Sequence, residues 1–235
     1  VNQNAPPFVG EFDQTTGKIV TSLRVPDRFL PDDATAPTKG IRENLSLESL
    51  TINAPSGTAG MIEPFRMFTA AESALIQDYN EDPAQPLNTR FLHYLIGQNQ
   101  STLIAEHLYP LDLEPPGTLL NGLSELLVID QGGHFLALER AFGLRGFRVR
   151  LYQLATGGAT DTSGILSLKG NLEGVAPIRK RLLLDFANTD IDLDNLEGMT
   201  LGPRLPDGSQ SLILVSDNNF DAARNTQFVL LRLES

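Results

Sequence analysis

The strongest constraint on this fold is a pattern of short apolar strands that occurs three times along the chain. Each occurrence has a Glu near the start of an apolar strand, then a turn, then a second strand that ends in an acidic residue. The first strands are residues 47–52, 124–129 and 196–201, and the second strands are residues 66–72, 134–139 and 211–217. Because such repeats define whole architectures, the repeat has to be assigned before any single element.

Each repeat continues with a longer strand, and the first two repeats add a fourth strand. The third strands are residues 89–96, 147–154 and 226–233, and the fourth strands are residues 102–109 and 179–186. Four consecutive antiparallel strands per repeat are typical of a β-propeller blade. The sequence therefore predicts an all-β, β-propeller-like fold with four-stranded antiparallel blades.

The number of strands does not complete a propeller. A hairpin over residues 8–13 and 19–25 precedes the first repeat, and the last repeat stops after three strands. Since a propeller has at least about four blades, we expect residues 1–235 to form a single domain that is an incomplete propeller, with N-terminal blades absent. A sandwich or an open barrel built from the same hairpins is the alternative. The long connection over residues 155–177 could carry a short helix within residues 165–175.

Charge and composition exclude several classes of function. The formal net charge of −11 opposes nucleic-acid binding, which requires a basic surface. The absence of cysteine excludes disulfides and thiolate metal sites. No apolar run approaches the roughly 18 residues that a transmembrane segment needs. A phosphate-bearing substrate would be repelled by this charge unless a bound cation or an arginine cluster reversed it locally.

The repeated acids are the candidate site residues. The first strand of a propeller blade lines the central channel, so Glu48, Glu125 and Glu197 are predicted to converge there as catalytic residues. A ring of carboxylates is unstable unless a cation lies inside it. Calcium, which takes six to eight oxygen ligands, is the expected cofactor. Its predicted ligands are Glu72, Glu139, Asp194, Asp217 and Asn218. Alternatively, each acid accepts backbone N–H groups or pairs with an arginine, and residues 216–220 form a simple Asx turn.

Arg140 is the fourth candidate catalytic residue. It follows Glu139 directly, and its guanidinium could bind a phosphate bidentately or pair with a neighbouring carboxylate. Arg148 and Arg150 alternate along the next strand and are expected to face solvent. The chain has no G-x-S-x-G elbow and no H-E-x-x-H helix, so the sequence does not support a serine hydrolase or a zinc protease.

Several stretches resemble the family known as "esterase-like activity of phytase". They occur in the family's order and cover most of the chain: residues 39–50, 68–78, 123–127, 135–142, 194–208 and 214–220. The closest resemblance is Asp194-Asn-Leu-Glu-Gly-Met-Thr-Leu201 with Leu214-Val-Ser-Asp-Asn-Asn-Phe220. The family's domain normally begins well upstream of the segment that matches Phe8, which agrees with the incomplete strand count.

The resemblance implies a bacterial, exported domain, periplasmic or extracellular, whose repeated acids act on phosphate esters. Two functions stay open at this point. One is a metal-assisted phosphoester hydrolase of the cell envelope or exterior. The other is a non-catalytic β-propeller that binds a ligand or partner and holds a structural Ca²⁺. In either case the chain could belong to a larger assembly that supplies further blades.

Overall fold

A computed structural model describes residues 6–32, 35–53, 63–98, 100–114, 116–221 and 224–234. Its regular elements are β-strands and three single turns of 3₁₀ helix. The strands are β1 Val9–Phe12, β2 Ile19–Leu23, β3 Leu47–Asn53, β4 Phe65–Ala71, β5 Asn88–Ile96, β6 Ser101–Pro110, β7 Thr118–Val128, β8 His134–Gly143, β9 Gly146–Ala155, β10 Arg179–Asp185, β11 Leu196–Arg204, β12 Gln210–Ser216 and β13 Phe228–Leu233. The 3₁₀ turns are Asp27–Phe29, Ile76–Asp78 and Phe186–Asn188.

The strands form four antiparallel sheets in which neighbours in sequence are neighbours in space. These sheets are β1-β2, β3-β4-β5-β6, β7-β8-β9-β10 and β11-β12-β13. The all-β prediction, the opening hairpin and the division of the three repeats into four, four and three strands are therefore confirmed. The short helix within residues 165–175 is wrong, because Gly170 and Gly174 take φ of 78° and 77°, outside the helical region.

The chain divides into two compact units, which the expectation of one domain did not include. Unit 1 comprises Val1–Leu113 and Gly158–Ile178, and unit 2 comprises Glu114–Gly157 and Arg179–Ser235. The long connection between β9 and β10 thus belongs to unit 1 from Gly158 to its end at Ile178. The core of unit 1 lies on one face of the β3–β6 sheet, where Met67, Leu92 and Tyr94 pack with Val9 and Phe29. Period-2 alternation along each strand turns these side chains to the same face.

The connection from unit 2 covers the edge strand of the β3–β6 sheet. Thr162 N donates to Glu106 O (2.7 Å), and Ile178 N donates to Leu108 O (2.9 Å), so the segment runs beside β6. The side chain of Asp161 accepts the Glu106 N–H at 3.0 Å. Strand edges need such partners because unpaired backbone groups are costly when buried.

In unit 2 the β7–β10 sheet packs against the β11–β13 sheet. Leu138, Val149 and Leu151 contribute to the core from the first sheet, and Leu196 and Leu212 contribute from the second. All five side chains are almost fully excluded from solvent. This packing fixes the ends of β8 and β11 side by side, where the candidate site lies.

Candidate functional site

Each of the three larger sheets has a β-bulge in its first strand, at matching positions in β3, β7 and β11. The pairing register skips one residue between Leu47 and Ser49, between Leu123 and Glu125, and between Leu196 and Gly198. The bulged residues are Glu48, Ser124 and Glu197. Bulges redirect a side chain and are frequent beside active sites, so the three sheets share one special position.

The same register defines a second shared position at the end of the second strand. Glu72 N donates to Ser46 O (2.7 Å) and Asp217 N donates to Asn195 O (2.9 Å). In the middle sheet the residue at this level is Arg140, which pairs with Gly122. The position is therefore acidic in two sheets and basic in one.

The middle repeat is consequently offset by one residue from the alignment made on sequence. That alignment placed Glu125 with Glu48 and Glu197, whereas the bulge of β7 is Ser124. It also placed Glu139 with the strand-end acids, whereas Arg140 occupies that level. Neither finding tests the predicted roles of Glu125 and Glu139, but both change which residues are equivalent.

Arg140 and Glu197 are brought into contact. Arg140 Nη1 lies 3.0 Å from Glu197 Oε1, and it also donates to Asn195 Oδ1. Asn195 Nδ2 donates to Glu197 Oε1 at 2.8 Å, which closes a three-residue network. The Arg140 side chain is 15% exposed and that of Glu197 is 35% exposed, while Asn195 is buried. The bulge at the start of β11 places Glu197, and β8 places Arg140.

The other predicted ligands in unit 2 are engaged separately. The buried carboxylate of Glu139 pairs with Lys180 Nζ. Asp194 Oδ1 accepts the Asn195 N–H at 2.8 Å and lies 3.9 Å from Arg224 Nη1.

Asp217 and Asn218 form successive Asx turns. Asp217 Oδ1 accepts the Asn219 N–H at 2.9 Å, and Asn218 Oδ1 accepts the Phe220 N–H at 3.0 Å. Asn219 and Phe220 have φ of 52° and 56°, and the side-chain acceptors help hold this left-handed backbone.

The remaining candidates are Glu125, Glu48 and Glu72. Glu125 Oε1 accepts the backbone N–H of Leu126 at 2.8 Å. Glu48 is exposed and Glu72 is buried, both in unit 1.

Within the described ranges, no group of three or more His, Asp or Glu side chains is placed to hold a metal ion. Several of the candidate oxygens instead accept hydrogen bonds from an arginine, a lysine or a backbone N–H.

A second charged cluster in unit 2 was missed by the sequence analysis. Arg150 Nη1 lies 2.5 Å from Glu114 Oε1, and Arg148 Nη2 lies 2.7 Å from Asp185 Oδ2. The expectation that Arg148 and Arg150 face solvent is wrong for Arg150, which is buried, and Arg148 is only partly exposed. The register pairs Arg150 with Glu139 on one side and Asp185 on the other, a juxtaposition that needs the strand pairing to be known.

The pKa values of the two carboxylates in this cluster, Glu114 and Asp185, are shifted in opposite directions. Burial raises the pKa of Glu114 and outweighs the opposing effect of Arg150 and Arg148. Burial is the largest single effect on Asp185 and acts to raise its pKa, but the hydrogen bonds from Arg148 and the Ala187 N–H, together with the charges of Arg148 and Arg150, outweigh it, so this pKa falls below its ordinary value. Hydrogen bonding to the charged form thus dominates only at Asp185.

The fold and the site define an all-β protein of antiparallel meander sheets with an arginine–carboxylate centre where two sheets meet in unit 2. Residues 2–220 match the family model "Phytase-like: Esterase-like activity of phytase". The chain belongs to this family of phytase-like, esterase-like hydrolases, which confirms the resemblance seen in the sequence. No curated protein and no solved structure matches the chain. None of the described residues belongs to a helix long and apolar enough to cross a membrane.

Proposed function

We propose that this chain is a phosphoester hydrolase whose centre is formed by Arg140, Asn195 and Glu197. The observation that carries the proposal is that one of the three sheets has a cation where the other two have a carboxylate, at the position paired with the residue just before the bulge region. Glu72 and Asp217 occupy this level in two sheets, while Arg140 occupies it in the third. In a chain of net charge −11, an anionic substrate requires such a localised cation.

The residues of this centre can divide the chemistry among them. The guanidinium of Arg140 would bind phosphoryl oxygens and stabilise the charge that grows on them in the transition state. Glu197 would orient the attacking water and accept its proton, while the bond from phosphorus to the leaving oxygen breaks. Asn195 is a positioning residue, because its amide bonds both side chains. The leaving oxygen takes a proton from solvent, so the products are an alcohol and a phosphate, or a phosphate monoester where the substrate is a diester.

Calcium remains a separate prediction. Since Glu139 and Glu197 are each paired with a cation in the described structure, we assign no step to a metal. Titration calorimetry on chelator-treated protein measures binding directly. Heat of binding that disappears in Asp217→Asn would support the predicted ligands, and no heat up to millimolar calcium would contradict them.

We propose that the three larger sheets are blades of an incomplete propeller, and that the protein acts in the periplasm or outside the cell, as expected of its family. Small-angle scattering and cell fractionation test these two statements.

One observation favours the alternative of a non-catalytic binding module. Glu197, Glu139, Asp194 and Asp217 each have an intramolecular partner that satisfies a carboxylate oxygen. Groups arranged in this way can serve stability alone. The alternative predicts a folded protein that releases no product from any phosphate ester.

The discriminating experiment is phosphate release from a panel of mono- and diesters, including inositol hexakisphosphate and bis-4-nitrophenyl phosphate, with and without chelator. We expect kcat/KM to fall about 100-fold in Glu197→Gln, the size of effect typical of losing a general base. Arg140→Lys keeps the charge but loses the planar fork, and should also lower kcat/KM. Glu234→Gln, at an exposed pair with Arg232, is the matched control. Turnover that is unchanged in both site variants would place the chemistry elsewhere.

A further inference from the structure

We propose that unit 2 holds a second ligand site, a cleft at the β8–β9 hairpin that binds a small molecule with an aromatic body and an anionic oxygen head. This site is separate from the proposed hydrolase centre, and its occupation does not require turnover. The cleft has a volume of about 420 Å³, within the range of small-molecule sites. It is lined by Glu114, Pro116, Phe142, Leu144, Phe147 and Arg148, among others.

The apolar part of the lining is provided by the hairpin. Phe142 and Phe147 pair across it, with ring centroids 4.9 Å apart and planes inclined at 43°. Leu144 lies at the hairpin tip and is 87% exposed. Two rings and an exposed Leu around a concave surface favour a flat apolar ligand, because its burial would remove this surface from water.

The polar part of the lining is Arg148, whose guanidinium has unused donors. Its side chain is 36% exposed. Nη2 donates to Asp185 at 2.7 Å, and Nε is buried without an acceptor in the described structure, whereas Nη1 lies 3.6 Å from Glu114 Oε2, beyond hydrogen-bond distance, and is the donor left for a ligand. A guanidinium has five N–H donors in a planar fork that matches a phosphonate, phosphate or carboxylate. Arg148 can therefore donate a hydrogen bond to such a head group while it keeps its bond to Asp185.

The local charge also favours an anion. Arg148 and Arg150 share Glu114 and Asp185, so the two cations of this network are balanced by two carboxylates. Arg145 adds an exposed cation to the cleft lining. The cleft thus has a local excess of positive charge, although the chain as a whole carries −11. An anion would be attracted to this region over other parts of the surface.

The shape of the cleft is fixed by close backbone packing. Leu144 N donates to Gly117 O at 3.2 Å, which ties the hairpin tip to the start of β7. A Cβ on Gly143 would overlap Gly117 O and come within 2.9 Å of Thr118 Cα, so only glycine allows this approach. A preformed cleft spares the ligand the entropy of ordering it.

The test uses benzylphosphonate as the probe, titrated into the full chain and followed by calorimetry and by ligand-observed NMR. Methylphosphonate and benzyl alcohol, which carry the head and the body alone, are the comparison ligands. We expect benzylphosphonate to bind at least about tenfold more tightly than either, since charge-assisted bonding and ring burial each contribute.

Variants of the cleft locate the binding. Arg148→Gln and Phe147→Ala should each weaken benzylphosphonate binding about tenfold. Leu144→Asp alters a fully exposed side chain, leaves the fold intact, and should weaken binding by placing a negative charge at the rim. Arg181→Gln and Phe228→Ala, on exposed parts of β10 and β13, are the matched controls and should bind as the parent does.

Two results would overturn the inference. One is the absence of probe binding at a probe concentration of about 10 mM. The other is binding that is lost in Arg140→Lys and retained in Leu144→Asp, which would place the anion at the hydrolase centre. Binding that persists in Arg140→Lys and in Glu197→Gln alike, whatever the turnover of these variants, separates this site from the proposed function.

Discussion

Arg90 is fully buried, and its charge is balanced by two buried carboxylates. Nε lies 2.6 Å from Asp78 Oδ2, Nη2 lies 2.9 Å from Asp78 Oδ1, and Nη1 pairs with Glu106. Ile165 O accepts two further bonds at 3.3 Å. Burial acts to lower the pKa of Arg90, but the two carboxylates outweigh it and raise this pKa. Burial raises the pKa of Glu106, one of whose oxygens has no partner in the described structure.

Removal of Arg90 should leave the buried carboxylate of Asp78 without its cation and Glu106 with only Arg28, whose Nη1 lies 3.5 Å from Glu106 Oε1. We expect Arg90→Met to lower the free energy of unfolding by about 3–5 kcal/mol, as measured by urea denaturation. The control is Arg24→Met, because the Arg24–Asp27 pair is mostly exposed and should contribute about 0–1 kcal/mol. Equal effects of the two substitutions would contradict a structural role for the buried network.

The lowered pKa of His93 leads us to expect a loss of stability in mild acid. Burial, with smaller effects from Arg66 and His107, lowers the pKa of His93 from 6.5 to about 4. The unfolded chain therefore takes up a proton between pH 6.5 and about 4 that the folded chain does not, and folding loses about 1–3 kcal/mol over this window.

The substitution His93→Phe should flatten this part of the pH profile. The ring of His93 stacks on Phe68 at 4.4 Å and its Nε2 has no partner in the described structure, so phenylalanine fits the same surroundings. His134→Gln is the control, since His134 is exposed and bonded to Asp130. An unchanged slope between pH 6.5 and 4 in His93→Phe would show that other groups cause the acid sensitivity.

At this scale the sequence predicted residue types better than partners. The acids were predicted because they recur near strand ends, and Arg140 because it follows Glu139 directly. Their neighbours were not, because Asn195 joins Arg140 through a separation of 55 residues. Lys180 likewise reaches Glu139 from another strand. Pairing between distant strands depends on packing that no local pattern encodes.

The strands themselves were predictable because apolar and polar residues alternate along them. The pairing register of the strands was less predictable from the sequence. The motif Leu-Ser-Glu-Leu of β7 matches Leu-Glu-Ser-Leu of β3 when the leucines are aligned, and the bulges show that this alignment is the structural one. Aligning the glutamates instead moves each residue by one place, which exchanges the faces of a strand.

Gly143 gives an element-scale prediction for the β8–β9 hairpin. Gly143→Ala should destabilise the protein by about 1–3 kcal/mol, because the new methyl group would meet backbone atoms of Gly117 and Thr118 that cannot move aside easily. Gly157→Ala is the control, since a Cβ there meets nothing within 4 Å. Thermal unfolding compares the two variants. A neutral Gly143→Ala would mean that the start of β7 yields, and the cleft would not be preformed.

The division into two units is the feature of the whole molecule that the sequence did not reveal. Length and composition are compatible with one domain or two. The connection between β9 and β10 had been identified as long, and connections of this length without regular structure are uncommon unless they have a role. Its role here is structural: Leu168 and Thr162 are fully buried within unit 1.

Replacement of residues 159–177 by a Gly-Ser sequence of equal length should therefore weaken unit 1. We expect a loss of about 3 kcal/mol or more, since burying Leu168 alone is worth about 1.5–3 kcal/mol and the side-chain hydrogen bonds of Asp161 and Thr162 to the Glu106 backbone disappear with it. Hydrogen exchange at the Glu106 amide, which bonds Asp161, reports the loss locally. The same replacement of the exposed residues 81–86 is the control and should cost much less. Equal protection in both variants would contradict the assignment of the segment to unit 1.

The discontinuity of unit 1 has a consequence for biosynthesis. A ribosome that has delivered the first 113 residues has not yet delivered the segment that completes this unit, which ends at Ile178, 65 residues later. At about 5–20 residues per second, the nascent chain waits roughly 3–13 s with Arg90, Asp78 and the edge of β6 uncovered. The part of unit 1 before residue 114 is therefore synthesised before the segment that pairs with the edge of β6, and the unit is completed only when that segment arrives.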